Sequence, residues 1–296
     1  MPRDPRHDYR SVCIYHITIN KAAATPSFCT ISGSLEKPAI DYSAIGYVVK
    51  NTVKNLRDIN GSLQVLQYAV MPDHVHILIY VRQYLQQHLG AYISMFKIRI
   101  LQKLRNRQIY SDSVFESDYY DRILRPWHSL QVIFDYIRQN PRRLLARRLL
   151  PDYFRRTRAL FNFSDINWHT YGNQDLLHNP FKESVICHRK EMENEETKRM
   201  KWERWEYSVL NGGVLVSPFI SPEEKKVRKM AEDNGGKLIL IINEAMGDRF
   251  KPGGHYYELC EQGRLLIIAP QETIPPGRAC FLRMNALADM LAYPRR

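Results

Sequence analysis

Apolar and polar positions alternate along residues 11–19, where Val12, Ile14, Ile17 and Ile19 interleave with Cys13, Tyr15, His16 and Thr18, and this predicts a first β-strand. The segment 27–32 reads as its hairpin partner. From Ala44 to Asp58 the spacing changes to Ile45, Val48, Val49, Val53 and Leu56, one face of a helix. Two further strands are expected at Ser62–Tyr68 and His74–Val81, joined by a turn at Met71-Pro72-Asp73. Residues 84–107 place Leu85, Leu89, Ile93, Phe96, Ile100 and Leu104 on one helical stripe. A third helix at about 128–140, carrying Leu130, Ile133, Phe134 and Ile137, is expected to stop at Asn140-Pro141. This order predicts an α+β fold, an antiparallel sheet with helices on one face.

Beyond residue 160 the pattern changes. Residues 161–205 are rich in Asn, Asp, His and charge and read as a connector. From 206 onward, three continuous apolar runs at 213–217, 237–242 and 264–269 are buried-type strands. Between the first two, Ser221-Pro222-Glu223-Glu224 opens a helix with a capping box that ends at Gly235-Gly236. The expected organisation is a domain at 1–160, a connector at 161–205 and a small Rossmann-like α/β domain at 206–296. The turn before Ser221 has two readings: backbone N–H groups offered to a phosphate, or a purely structural helix cap.

Charge sharpens this division. Residues 1–160 hold 24 of the 43 Lys+Arg but only 12 of the 31 Asp+Glu, so the whole excess of +12 lies there. A basic block confined to one half suits a polyanion, most simply nucleic acid. No stretch has the roughly 20 apolar residues of a membrane span. Five scattered cysteines (Cys13, Cys29, Cys187, Cys260, Cys280) show neither disulfide-scaffold nor zinc-finger spacing and suit a reducing cytoplasm.

Two constellations could carry chemistry. In His74-Val75-His76, a strand sends both imidazoles to the same face, where they could chelate one cation or sit as ordinary packed histidines. In Tyr136-Ile137-Arg138-Gln139-Asn140-Pro141, a helix stacks Tyr136 and Asn140 at i and i+4. A phenol beside a metal could attack a phosphodiester, and an amide oxygen suits Mg²⁺ or Mn²⁺. Equally, Tyr136 could be a core anchor and Asn140 a helix cap.

Taken together, the two constellations match a known pattern. Residues 68–78 (Tyr-Ala-Val-Met-Pro-Asp-His-Val-His-Ile-Leu) resemble the Met-Pro-x-His-Val-His signature of single-tyrosine HUH transposases. Tyr119-Tyr120-Asp121-Arg122-Ile123-Leu124-Arg125, the Tyr136-Ile137-x-x-Asn140-Pro141 run and Ser94-Met95-Phe96-Lys97 are similar to the REP-associated tyrosine transposase branch. The resemblance covers about residues 9–150. It implies a ferredoxin-like core, His74, His76 and Asn140 as ligands of a divalent cation (Mg²⁺ or Mn²⁺), and Tyr136 as the nucleophile. It also makes Tyr119 and Tyr120 packing or DNA-contact residues rather than rival nucleophiles. The implied activity is cleavage and rejoining of single-stranded or hairpin DNA through a 5′-phosphotyrosine. Lys97, Arg122, Arg138, Arg142 and Arg143 are the expected DNA contacts, and both monomer and homodimer remain open. Two rivals stand beside this reading: a non-catalytic DNA-hairpin-binding regulator, and a metal-dependent nuclease that uses water.

Overall fold

A computed structural model describes residues 4–125, 128–187, 194–248 and 250–294. The chain divides into two compact units, residues 1–146 and 147–296.

The first unit contains β1 (Ile14–Asn20), β2 (Cys29–Gly33), β3 (Pro38–Tyr42), α1 (Ala44–Lys54), β4 (Leu63–Val70), β5 (His74–Val81), α2 (Leu89–Asn106) and β6 (Tyr120–Leu124). Its last helix, α3, spans His128–Leu149. The main sheet has the order β4-β5-β1-β6 and is antiparallel throughout. With α1 between β1 and β4, and α2 between β5 and β6, this is the ferredoxin-like split βαβ arrangement, and the fold is α+β as expected.

Alternation explains which face is which. Val75, Ile77, Ile79 and Val81 of β5, with Tyr15, Ile17 and Ile19 of β1, are fully buried against Val49 and Val53 of α1 and Phe96, Ile100 and Leu104 of α2. The opposite face carries Ile14, Leu78 and Leu124, and there Ile133, Ile137 and Leu145 of α3 pack. So α1 and α2 share one face as expected, but α3 covers the other.

Three local expectations are corrected. The segment after β1 does not pair with it: β2 pairs with β3 in a separate ribbon, because both edges of β1 are taken by β5 and β6. The long helix starts at Leu89 rather than 84, since the Leu85 N–H donates to the distant Arg10 carbonyl instead of entering a helical turn. Finally, α3 runs straight through Pro141. The proline forfeits one N–H bond to the Ile137 carbonyl, but Leu145 and Ala146 beyond it are buried, and that burial sustains the helix. The start of α1 is fixed by Ser43, whose Oγ accepts from the Gly46 N–H. At Gly46 a Cβ would lie 1.7 Å from the Phe28 carbonyl oxygen, so only glycine admits this approach.

The second unit contains β7 (Arg156–Phe163), β8 (Ile166–Gly172), β9 (Lys182–Ser184), α4 (Glu195–Leu210), β10 (Val214–Ser217), α5 (Pro222–Asp233), β11 (Lys237–Ile241), α6 (Gly254–Glu261), β12 (Leu265–Pro270) and α7 (Arg278–Ala292). Its sheet has the order β7-β8-β12-β11-β10-β9, with β9 to β12 parallel and β8 antiparallel to β12. The expected α/β pattern is present, but the connector at 161–205 is not a connector. It supplies the last three residues of β7, then β8, β9 and much of α4, and Trp168 within it is fully buried. β7 is an edge strand with mostly half-buried or exposed residues, so its last three residues carry no buried-strand pattern. Residues 191–193, part of the expected charged stretch, lie outside the described residues.

The capping box at Ser221 is as expected. The Glu224 carboxylate also accepts from the N–H groups of Ile220, Ser221 and Cys187, at 2.8, 3.0 and 3.2 Å. An internal carboxylate thus occupies the turn where a phosphate was one of two readings, and the structural cap is the correct one. Among the described residues no helix is long and apolar enough to cross a membrane.

Candidate active site

On the sheet face under α3, four polar side chains converge beside the apolar contacts. β5 sends His74 and His76 there, because their neighbours Val75 and Ile77 are committed to the α1/α2 core. β1 adds Thr18, directly across from His76 in register, and His16, two residues away. His74 Nε2 and His76 Nε2 lie 3.0 Å apart. The far nitrogen of each ring has its own partner. His74 Nδ1 is 2.7 Å from Asp73 Oδ1, and His76 Nδ1 is 2.9 Å from Thr18 Oγ1 and 3.0 Å from His16 Nε2.

Over this cluster stands Tyr136 of α3. Its ring meets His76 edge-on at 5.7 Å between centroids and His16 at 6.3 Å. It remains 37% exposed, so it touches the cluster on one side and solvent on the other. Arg143, only 7% exposed, sets its guanidinium carbon 5.4 Å from the centre of the Tyr136 ring. One turn beyond Tyr136, Asn140 is buried and its Nδ2 has no hydrogen-bond partner. Leaving such a group unpaired costs about 1–3 kcal/mol, which marks it as a polar end kept for something else.

Electrostatics hold His16 neutral. Burial, the Arg122 guanidinium and His74 push His16 down to about 4, so it is uncharged near pH 7. Arg122 sits directly across from His16 on β6.

The residues could hold a hard divalent cation. Two octahedral ligands at the usual metal–donor distance of about 2.1 Å are about 3 Å apart, which is the observed Nε2 separation. Each ring also has a partner on its far nitrogen, as ligating histidines do. Among the described residues no group of three His, Cys, Asp or Glu side chains could hold a metal ion, so a third ligand would have to be of another type, such as the Oδ1 of Asn140, one turn beyond Tyr136 on α3. His16 is not such a donor, because it lies behind His76, against Nδ1.

The expected DNA contacts separate into two groups. Arg122 is exposed, and Arg138 is exposed while paired with Asp135 at 2.7 Å. Arg142 instead donates through Nε to the Leu35 carbonyl, and Arg143 is buried beside Tyr136. Lys97 is engaged within the protein: its ammonium donates to the carbonyls of Glu116, Ser117 and Asp118 at 2.7, 2.8 and 2.9 Å, which uses all three N–H bonds to anchor that loop. Tyr119 packs against the α1/α2 core, and Tyr120 is exposed on β6.

His16, Thr18 and the placement of Arg143 beside the phenol were missed from sequence. The one available signal was the alternation in β1, which puts His16 and Thr18 on the face opposite Tyr15, Ile17 and Ile19.

Fold and site together define a ferredoxin-like domain with a His-x-His pair on a central strand and a helix-borne tyrosine above it. No family profile and no curated relative matches the chain. Among solved structures it is similar to one described as a REP-associated tyrosine transposase bound to a REP hairpin. That match has 12% identity and a TM-score of 0.35, and covers 48% of this chain and 73% of the other. It is also similar to one described as "a putative transposase from Deinococcus radiodurans R1". Here the identity is 16% and the TM-score 0.28, with 47% of this chain and 97% of the other covered.

Proposed function

We propose that this chain is a transposase-like enzyme that cleaves and rejoins single-stranded or hairpin DNA through Tyr136. The observation that carries the reading is the seating of the Tyr136 ring 5.7 Å from the ring of His76, whose Nε2 faces that of His74.

The hydroxyl of Tyr136 would attack a backbone phosphorus, forming a P–O bond to tyrosine as the bond to the 3′ oxygen breaks. The departing oxygen takes up a proton and becomes a free 3′-OH, while the 5′ phosphate stays on the protein. Phosphodiester energy is conserved in that linkage, so attack by another 3′-OH reverses the step without a nucleotide cofactor. A divalent cation (Mg²⁺ or Mn²⁺) held by His74, His76 and Asn140 would supply Lewis-acid polarisation of the scissile phosphate. Arg143 places a fixed positive charge beside the phenol, where it favours the oxygen's developing negative charge. Arg122 and Arg138, exposed around the site, would hold flanking phosphates.

The test incubates end-labelled hairpin oligonucleotides bearing single-stranded flanks with protein and Mg²⁺, followed by a denaturing gel. Wild type and Tyr120→Phe are expected to retain the fragment 3′ of the cut through its 5′ end, and Tyr136→Phe to retain none. An adduct formed equally by Tyr136→Phe removes Tyr136 as nucleophile. Cut DNA without attached protein means a water-using nuclease, and chelator-insensitive binding without cutting means a hairpin-binding regulator.

A further inference from the structure

The contacts around His76 call for one protonation pattern without a cation and another with one. A neutral imidazole has one N–H and one bare nitrogen, whereas a carboxylate only accepts. The 2.7 Å contact from Asp73 Oδ1 therefore places the His74 proton on Nδ1 and leaves His74 Nε2 bare. That bare nitrogen faces His76 Nε2 at 3.0 Å. With no cation between them, two bare nitrogens would repel, so His76 must carry its proton on Nε2 and donate it to His74. Its Nδ1 is then an acceptor and needs a donor. Once both Nε2 atoms serve as ligands, the His76 proton must sit on Nδ1 instead, which now needs an acceptor.

Two groups flank Nδ1, the Thr18 hydroxyl at 2.9 Å and His16 Nε2 at 3.0 Å. A hydroxyl donates or accepts according to its rotor, and an imidazole nitrogen does either according to tautomer. A lysine or a carboxylate in the same place could do only one. The register makes the arrangement deliberate: Thr18 lies opposite His76 across the β1–β5 ladder, and His16 is the next residue on the same face.

We infer that Thr18 and His16 form a two-way hydrogen-bond partner behind His76, letting this ligand exchange tautomers as a divalent cation enters. They are positioning residues that act through His76. The inference rests on the reading of His74 and His76 as ligands, and its test needs no DNA.

Full-length protein labelled with ¹⁵N-histidine reports the His76 tautomer by long-range ¹H–¹⁵N NMR, with the signal assigned by its loss in His76→Gln. The expected result is Nε2–H without cation and Nδ1–H with saturating Mg²⁺. Mn²⁺ affinity, read by electron paramagnetic resonance, is expected to fall about 10- to 100-fold in Thr18→Val/His16→Leu, while Thr18→Ser stays near wild type. The unchanged His74 signals and thermal unfolding show that each variant is folded. The same His76 tautomer with and without Mg²⁺, or wild-type Mn²⁺ affinity in the double variant, overturns the inference and leaves the proposed function standing. A wild type that binds no Mn²⁺ removes the ligand reading and this inference together, while Tyr136 adduct formation remains a separate question.

Discussion

Ile137 follows Tyr136 by one residue, is fully buried, and pegs α3 onto Ile14, Leu78 and Leu124 of the sheet. Truncation to alanine removes three carbons at a site with no exposure, which costs about 2–5 kcal/mol. That is a large share of the roughly 5–15 kcal/mol that holds a domain together. The loss should fall on α3 first, because α1 and α2 pack on the opposite face of the sheet. Hydrogen exchange followed by mass spectrometry separates the two faces. Peptides from 130–145 in Ile137→Ala should lose protection by a factor of about 30 to a few thousand, the conversion of that range at 1.4 kcal/mol per decade. Peptides from 93–104 should change little, and Ile100→Ala in α2 should give the reverse bias. DNA adduct formation should fall with the loss of α3 docking, and cation affinity should fall with it, because Asn140 rides on the same helix. Equal loss of protection on both faces would refute the argument that α3 is an independently seated carrier of Tyr136.

Replacing Lys97 by Met should free the loop at 116–118, seen as faster proteolysis there, with no change in the salt dependence of DNA binding; a reduced salt slope would restore Lys97 as a phosphate contact. Burial pushes the Cys260 thiol up to about 12, so at pH 8 it should not react with a disulfide reagent until the second unit unfolds. In cation-free protein, His16 titrates at about 4 when folded against about 6.5 when unfolded, so the unfolded chain binds the extra proton between these values. Stability is therefore full above pH 6.5 and declines as pH falls toward 4, by at most about 3 kcal/mol, and His16→Gln should flatten that part of the denaturation profile.

Much of the site was legible because it is written in short-range periodicity. A period of two puts His74 and His76 together on one face of β5 and Val75 and Ile77 on the other, and a period near 3.6 stacks Tyr136 over Asn140. The capping box at Ser221 is equally local. Less legible were elements whose identity depends on what covers them. β6 is a five-residue strand whose Tyr-Asp-Arg composition reads as surface, yet it pairs with β1 along its whole length. The end of β7, Phe161-Asn162-Phe163, read as part of a connector because an edge strand leaves its side chains half-buried or exposed. Pro141 read as a helix end because the burial that carries α3 past it belongs to the sheet, not to the helix.

The chain alone determined which side chains share a face within each strand and helix, since that follows from backbone geometry over a few residues. Which faces meet was decided only on folding. Closing β1 between β5 and β6 brought Thr18 and His16 behind His76, and docking α3 over that face set Tyr136 against the histidines. Those pairings join residues 58 to more than 100 positions apart, and their register is fixed by the packing of the whole sheet rather than by any local pattern.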